Sequence, residues 1–174
     1  NNFSSAEQNI KGFLDKVSSL LALLILSPLL GYIAFRVKRD SEGPVFFKQE
    51  RIGYLGQPFT IYKFRTMYTD AEQNGPLLAS DDDSRITSFG RIMRKYRLDE
   101  LPQFWNVLKG DMSLVGPRPE RIFFINEIVK IAPYYYLLHN VRPGITSLGM
   151  VKYGYAGSVD QMIERLEYDM LYYE

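Results

Sequence analysis

Two adjacent carboxylates, Asp99 and Glu100, stand between a basic segment and an aromatic one in RIMRKYRLDELPQFWNVLKGDMSLVGPRPE, residues 91–120. A carboxylate pair offers oxygen ligands for a hard cation. The structural alternative is plain: Asp99 as a helix N-cap and Glu100 as a first-turn charge. The end of the stretch argues for more. In Gly116-Pro117-Arg118-Pro119 one arginine is held between two residues whose φ is locked, and a guanidinium fixed in this way is suited to clamp phosphate.

Two helices are needed to present the pair. Phe89, Ile92, Met93 and Tyr96 recur at i, i+3, i+4, i+7, which predicts a core-docked helix with Arg91, Arg94, Lys95 and Arg97 on the remaining circumference. Leu101, Phe104, Trp105 and Leu108 repeat the spacing, with Pro102 tolerable in the first turn of a second helix. Asp99 and Glu100 then fall at a helix-to-helix junction, where unpaired N–H groups and the helix dipole favour anions.

The chain has 174 residues, room for one domain plus a membrane element, with no internal repeat. A net charge of +1 gives no bulk signal for nucleic acid, so anion binding must come from local clusters. With no cysteine and only His139, neither disulfides, thiolate chemistry, a zinc cage nor a histidine-based triad can be built. Oxygen-ligand chemistry remains. The first residue is Asn1 rather than Met, which favours a piece of something longer and leaves the whole protein as the open alternative.

Residues 1–12 read as a polar lead-in. From Val17 to Phe35 no charge occurs, a length sufficient for a hydrocarbon core of ~30 Å if straight. Ser27-Pro28 near its middle predicts a bend. Basic residues flank both sides (Lys11 and Lys16 before, Arg36, Lys38 and Arg39 after), so the charge rule favours no single crossing direction and admits a helix that dips in and returns. Val45–Gln49 and Phe59–Met67 read as two strands around a glycine-rich turn, with Lys63 and Arg65 on one face and Tyr62 and Phe64 on the other. Residues 70–83 read as a loop. Its Asp81-Asp82-Asp83 run is a weaker metal candidate than the pair, because three consecutive carboxylates splay apart. Glu120–Ile131 reads as a helix with an Ile122, Ile125, Ile128, Val129 stripe. Tyr134, Tyr135 and Tyr136 suit either core or membrane interface. Arg142 sits in the turn Val141-Arg142-Pro143-Gly144, Tyr153-Gly154-Tyr155 lies in a loop able to stack a base, and Ser158 with Gln161 forms a capping box for a closing helix striped by Met162, Ile163, Leu166 and Met170.

Taken together, Gln49-x-Arg51-x-Gly53, Lys63-Phe64-Arg65-Thr66-Met67, Leu98-Asp99-Glu100-Leu101-Pro102-Gln103, Asn106-Val107-Leu108-Lys109-Gly110-Asp111-Met112-Ser113, Gly116-Pro117-Arg118-Pro119 and Arg142-Pro143-Gly144-Ile145-Thr146 resemble the bacterial sugar transferase family, the monotopic polyprenol-phosphate phosphoglycosyl transferases. Six motifs in order over roughly a hundred residues are far more specific than any one of them. The resemblance implies an α+β, mostly helical monotopic membrane protein. Residues 1–39 would be a lead-in and a re-entrant helix kinked at Ser27-Pro28. Residues 40–174 would form a compact catalytic domain with a small β-hairpin, at the cytoplasmic face of the bacterial inner membrane. It also implies roles. Asp99 would attack the sugar-bearing phosphate of a UDP-sugar and expel UMP, a polyprenol phosphate would then take the phosphosugar, and Glu100 would ligate Mg²⁺. Lys63, Arg94, Arg118 and Arg142 would contact phosphate or substrate. The membrane partner is one leaflet, a homo-oligomer is admitted, and nucleic acid is not expected. Arg97 departs from the family, which often has a small hydroxyl residue nearby.

Two other readings use the same residues. A membrane-bound hydrolase would direct the carboxylates at water and release free sugar phosphate from nucleotide-sugars or lipid phosphates. A non-catalytic anchor or assembly partner would use the basic helix only to dock on anionic lipid.

Overall fold

The computed structural model describes residues 5–73, 75, 77 and 83–173. The fold is α+β and mostly helical. Helix α1 (Ser5–Ile25) and α2 (Ser27–Asp40) lead into an antiparallel hairpin of β1 (Phe46–Ile52) and β2 (Pro58–Phe64). Then follow α3 (Ser88–Lys95), α4 (Gln103–Lys109), β3 (Ser113–Val115), α5 (Ile122–Ile131), β4 (Gly144–Thr146), α6 (Leu148–Lys152) and α7 (Val159–Tyr173). The polar lead-in is helical from Ser5 onward, and it is anchored: Lys11 and Asp15 both reach the Ser113 hydroxyl at the start of β3.

The bend expected at Ser27-Pro28 is present, with α1 and α2 meeting at 64°. Proline cannot donate to the carbonyl four residues back, which is Leu24. Ser27 Oγ donates to that carbonyl instead at 2.8 Å, so the break leaves no orphan there. No single helix among the described residues is long and apolar enough to cross a membrane; the bent pair reaches that threshold only when taken together. Along α1, Ile10, Phe13, Leu14, Val17, Leu21 and Leu24 form an exposed apolar stripe at helical spacing. The opposite side packs on α4 and β3.

Three cores hold the rest. Ile33 and Val37 of α2 meet Phe64, Phe89 and Met93, which fixes α3 against the bent helix and the end of the hairpin. Ile61, Val107 and Met112 fill the space between β2 and α4. Phe124, Ile125, Ile128, Tyr135, Leu138, Met162 and Leu166 join α5, α7 and the 3₁₀ segment Pro133–Asn140. The tyrosine run is thus divided, Tyr135 in the core with Tyr134 and Tyr136 exposed.

Several elements differ from expectation in extent or facing. The strands are offset by a few residues, and Arg65 lies past the end of β2, where its guanidinium binds the Pro44 and Ser41 carbonyls and locks the turn before β1. Of the four apolar positions read for α3 only Phe89 and Met93 are buried; Ile92, and Tyr96 just past its end, are 49% and 63% exposed. On α4 the buried face is Gln103, Asn106 and Val107, not the aromatic one. Asn106 explains the shift. Its side chain accepts from the Tyr62 N–H at 3.1 Å and donates to the Thr60 carbonyl at 2.7 Å, so it ties α4 to the edge of β2 and satisfies the strand's backbone. Helix α5 begins at Ile122, which is exposed. A short parallel pair, Ser113 with Gly144 and Val115 with Thr146, closes the domain and was not legible in the sequence.

Candidate active site

Asp99 and Glu100 lie in a single 3₁₀ turn, Leu98–Glu100, between α3 and α4. Arg97 enters the turn with φ 57°, a left-handed conformation uncommon for a residue with a Cβ, and it reverses the chain so that both acids point inward. Their residual exposures are 6% and 5%. Asp99 is not an N-cap: α4 begins after Pro102 and receives no side-chain cap. Its Oδ1 is buried and, among the described residues, accepts no hydrogen bond. An orphaned buried carboxylate oxygen is costly, and sites of this kind mark function more often than stability.

The hairpin and the helices deliver cations to the pair. Lys63, near the end of β2, places Nζ 2.6 Å from Glu100 Oε1. Arg118 Nη1 is 3.8 Å from the same oxygen, and Arg97 Nη1 is 3.8 Å from Oε2. Arg94 belongs to α3, whose start is capped twice: Thr87 Oγ1 accepts from the Gly90 N–H and Asp40 from the Phe89 N–H. A Cβ on Gly90 would lie 2.2 Å from the Thr66 carbonyl, so only glycine lets α3 come this close to the strand end. At that distance Arg94 Nε donates to Thr66 Oγ1 at 2.9 Å, and its charge is felt at Asp99.

Arg118 is held as its flanking prolines suggested, with a further clamp. Gly144 N–H donates to the Pro117 carbonyl at 2.9 Å and Gly116 N–H to the Thr146 carbonyl at 3.0 Å. A Cβ on Gly116 would sit 2.2 Å from the Arg142 carbonyl. Behind Arg118 lies Glu120, 4% exposed, which meets Arg165 Nη2 at 2.6 Å, Arg51 Nη1 at 3.2 Å and Arg118 Nε at 3.6 Å. On the outer side the Tyr155 ring covers Arg97 at 4.1 Å and Arg118 at 5.8 Å.

Burial and charge push the two acids apart. Burial raises the Asp99 pKa, and Lys63 and Arg94 only partly offset it. Burial also acts against Glu100, but Lys63, Arg118 and Arg97 outweigh it and hold that carboxyl at about 2. Lys63 is lowered chiefly by burial, while Arg118 is raised because Glu100 and Glu120 outweigh its burial. Glu100 is therefore a fixed anion, and Asp99 is the adaptable member of the pair.

Of the cations singled out in the sequence, Lys63, Arg94 and Arg118 converge on the pair. Arg142 does not join them: its guanidinium lies over Tyr54 at 5.5 Å, in the β1–β2 turn, at the other end of the hairpin from Lys63. Asp83 is bound by Arg85 through side chain and backbone, which holds its pKa at about 2. That accounts for its charge as structural, while Asp81 and Asp82 lie outside the described residues. Arg51, Glu120 and Arg165 were not foreseen as site residues, whereas Arg97 stood out as the departure from the family pattern beside the pair. The motif Gln49-x-Arg51-x-Gly53 and the Glu120 position after Arg118-Pro119 gave a hint, and α7 gave none, because Arg165 reads in sequence as a surface charge between apolar stripe positions.

Among the described residues no group of three or more acidic, histidine or cysteine side chains could hold a metal. Mg²⁺, however, is commonly held by one or two carboxylates with substrate phosphate and water completing the shell. The orphaned Asp99 oxygen and the adjoining Glu100 carboxylate fit that demand.

Residues 6–174 match the bacterial sugar transferase family. The chain is 45% identical over 163 residues to a UDP-N-acetylgalactosamine-undecaprenyl-phosphate N-acetylgalactosaminephosphotransferase of Aeromonas hydrophila, covering 94% of this chain and 38% of the relative. It is 42% identical over 161 residues to a UDP-glucose:undecaprenyl-phosphate glucose-1-phosphate transferase of Klebsiella pneumoniae, covering 91% and 34%. The exopolysaccharide production protein PSS of Rhizobium leguminosarum is 42% identical over 159 residues, 87% of this chain and 78% of that protein. The chain thus spans little more than a third of the first two relatives and most of the third. With an acid pair set among converging cations and a family match running nearly end to end, this chain belongs to the bacterial sugar transferase family.

Proposed function

We propose that this chain transfers a sugar-1-phosphate from a UDP-sugar to a polyprenol phosphate. The observation that carries it is Asp99 Oδ1, buried without a partner beside a Glu100 held anionic by Lys63, Arg118 and Arg97. The relatives' names supply the substrate classes. In the first step an Asp99 oxygen attacks the sugar-bearing phosphorus, the bond from phosphorus to the oxygen bridging the two phosphates breaks, and UMP leaves with the electron pair. In the second, an oxygen of the acceptor phosphate attacks the same phosphorus and the Asp99 carboxylate departs. The bond from C1 to oxygen is untouched, so the anomeric configuration persists. Dividing the displacement between two nucleophiles replaces one difficult step by two easier ones.

Asp99 reacts as the carboxylate. Arg94 and Lys63 favour that ionisation, while Arg118 and Lys63 meet the charge of the transferring phosphoryl oxygens. Glu100 orients those two cations. Mg²⁺ held by Glu100, with Asp99 beside it, would supply further neutralisation of phosphate charge. The bent pair α1–α2, with its exposed apolar stripe, supports a re-entrant seat in one leaflet, and at the cytoplasmic face of the bacterial inner membrane such a seat would bring the site to the acceptor headgroup.

The test is UMP release from UDP-sugar and Mg²⁺ by the membrane-bound protein. Asp99→Asn should abolish it, and a denatured sample of the parent should carry the phosphosugar on Asp99. Full activity in Asp99→Asn ends the nucleophile assignment, and free sugar phosphate without lipid product would show a hydrolase instead.

A further inference from the structure

The pocket that opens beside Glu100 differs in character from the polar cluster behind it. It encloses about 270 Å³ between α4, β4 and α6, and Leu101, Phe104, Ile145, Met150 and Val151 make most of its wall. Arg97, Glu100 and Thr146 supply its polar edge. Nothing in the two-step transfer yet uses it. We propose that this pocket receives the first isoprene unit of the prenyl phosphate acceptor, with Arg97 meeting the acceptor phosphate at its edge. The inference rests on the transferase reading above and adds the place where the lipid's carbon chain begins.

Three observations favour the acceptor over the nucleotide-sugar. First, uracil, ribose and hexose each carry several hydrogen-bonding groups, and burying these against five carbon side chains leaves them unpaired, which costs more than the contact returns. A branched hydrocarbon unit has no such groups and gains from leaving water. Second, the prenyl chain starts one ester bond from the attacking phosphate. Its first unit must therefore lie next to the reacting phosphorus, and Glu100 itself lines this pocket. Third, α4 connects the pocket to the lipid-facing part of the molecule: Phe104 is in the pocket wall, and α4 also packs on α1, whose far side carries the exposed apolar stripe.

Arg97 completes the fit. Its left-handed backbone and the Tyr155 ring at 4.1 Å bring the guanidinium to the pocket edge, 3.8 Å from Glu100 Oε2. A cation at the mouth of an apolar cavity matches a ligand with an anionic head and a hydrocarbon next to it.

Val151 offers the cleanest variant, since it lies at the pocket edge and is 72% exposed, so Val151→Asp leaves the core intact. With the full protein in lipid nanodiscs, KM for polyprenol phosphate should rise at least tenfold in Val151→Asp, while KM for UDP-sugar moves less than twofold. Val151→Leu should restore the parent value, and Phe104→Ala should shift the acceptor in the same direction. A second readout needs no turnover. In equilibrium dialysis, geranyl phosphate should bind the parent at concentrations where inorganic phosphate does not displace it, and Val151→Asp should weaken this binding at least tenfold. If instead the UDP-sugar KM rises with the acceptor KM fixed, the assignment is overturned and the pocket belongs to the donor. If neither constant moves and no geranyl phosphate is bound in dialysis, the pocket holds no substrate. Geranyl phosphate binding without UMP release in the parent would keep the pocket and remove the transferase reading.

Discussion

Glu120 and the Asp99–Glu100 pair lie on either side of Arg118 and are almost equally buried, yet their oxygens meet different fates. Around Glu120, Arg165, Arg51 and Arg118 meet both carboxylate oxygens, and the last two are tied further, Arg51 to Gln49 at 2.6 Å and Arg118 toward Glu100, so that the unpartnered atom on this side is Arg51 Nε and not a carboxylate oxygen. Around Asp99 the cations stop short, one oxygen is left without a donor, and burial holds its proton more tightly than water would. A carboxylate saturated by cations on both oxygens fixes geometry, and one with an oxygen left free stores the capacity to react. Arg118 belongs to both, so the rigid cluster sets where the reactive one finds its guanidinium.

The largest effect should come from Asp99→Asn. UMP formation is expected to fall at least ~10³-fold, about 4 kcal/mol of barrier, while the melting temperature stays level or rises. The sign follows from the raised pKa: the unfolded chain gives up this proton first, so the native state loses stability as pH climbs from the ordinary carboxylate range through the raised value. Asparagine removes that loss, so its advantage should show at pH 7 and vanish near pH 3. Glu100 behaves oppositely. With its carboxyl held at about 2, its contribution is present above its ordinary value and fades as pH falls toward 2. An Asp99→Asn protein that melts well below the parent at pH 7 would break the contrast.

Glu120→Ala should reverse the balance of effects, costing about 3–5 kcal/mol of stability because three arginines lose one buried partner. Denaturant titration of the parent and variant checks this, and a variant as stable as the parent would mean that the saturated cluster anchors nothing. Arg118→Lys keeps the charge but gives up the fork that serves Glu100 and Glu120 at once, so kcat/KM should drop ~10²-fold, about 2.7 kcal/mol, with a smaller loss of stability. Equal kinetics would reduce Arg118 to a scaffold residue. The smallest effect belongs to a site outside both clusters. Ser27→Ala leaves the Leu24 carbonyl at the helix break without its donor and should cost about 1 kcal/mol. If melting is unchanged, a single unpaired oxygen at the bend carries no cost, and the penalty read at Asp99 depends on its charged surroundings.

Much of the site was legible because its parts are local. The adjacency of Asp99 and Glu100, the prolines on either side of Arg118 and the Ser27-Pro28 break are properties of neighbouring residues, and sterics act on neighbours whatever the fold. The helical spacing of α3 and α4 was also read correctly in period. Its facing was not, since Ile92, Tyr96 and Trp105 are exposed and Asn106 is the buried residue on α4. Periodicity marks an apolar face without saying whether protein or lipid covers it, and a polar residue at the core appears only once its backbone partners on β2 are placed.

The sequence by itself determined which residues are chemically able and how the chain must bend near them: an acid pair, a φ-locked arginine, a proline-broken apolar run. Tertiary structure alone decided which cations reach the pair. Lys63 arrives from 37 positions away, Arg165 closes on Glu120 across 45, and Arg142, equally suggestive on paper, turns to Tyr54 instead. The reason is the range of the forces. Torsional limits bind adjacent residues, whereas a charge responds to whatever packing brings within a few ångströms, and that depends on Asn106, Gly90 and Gly116 seating three distant segments together.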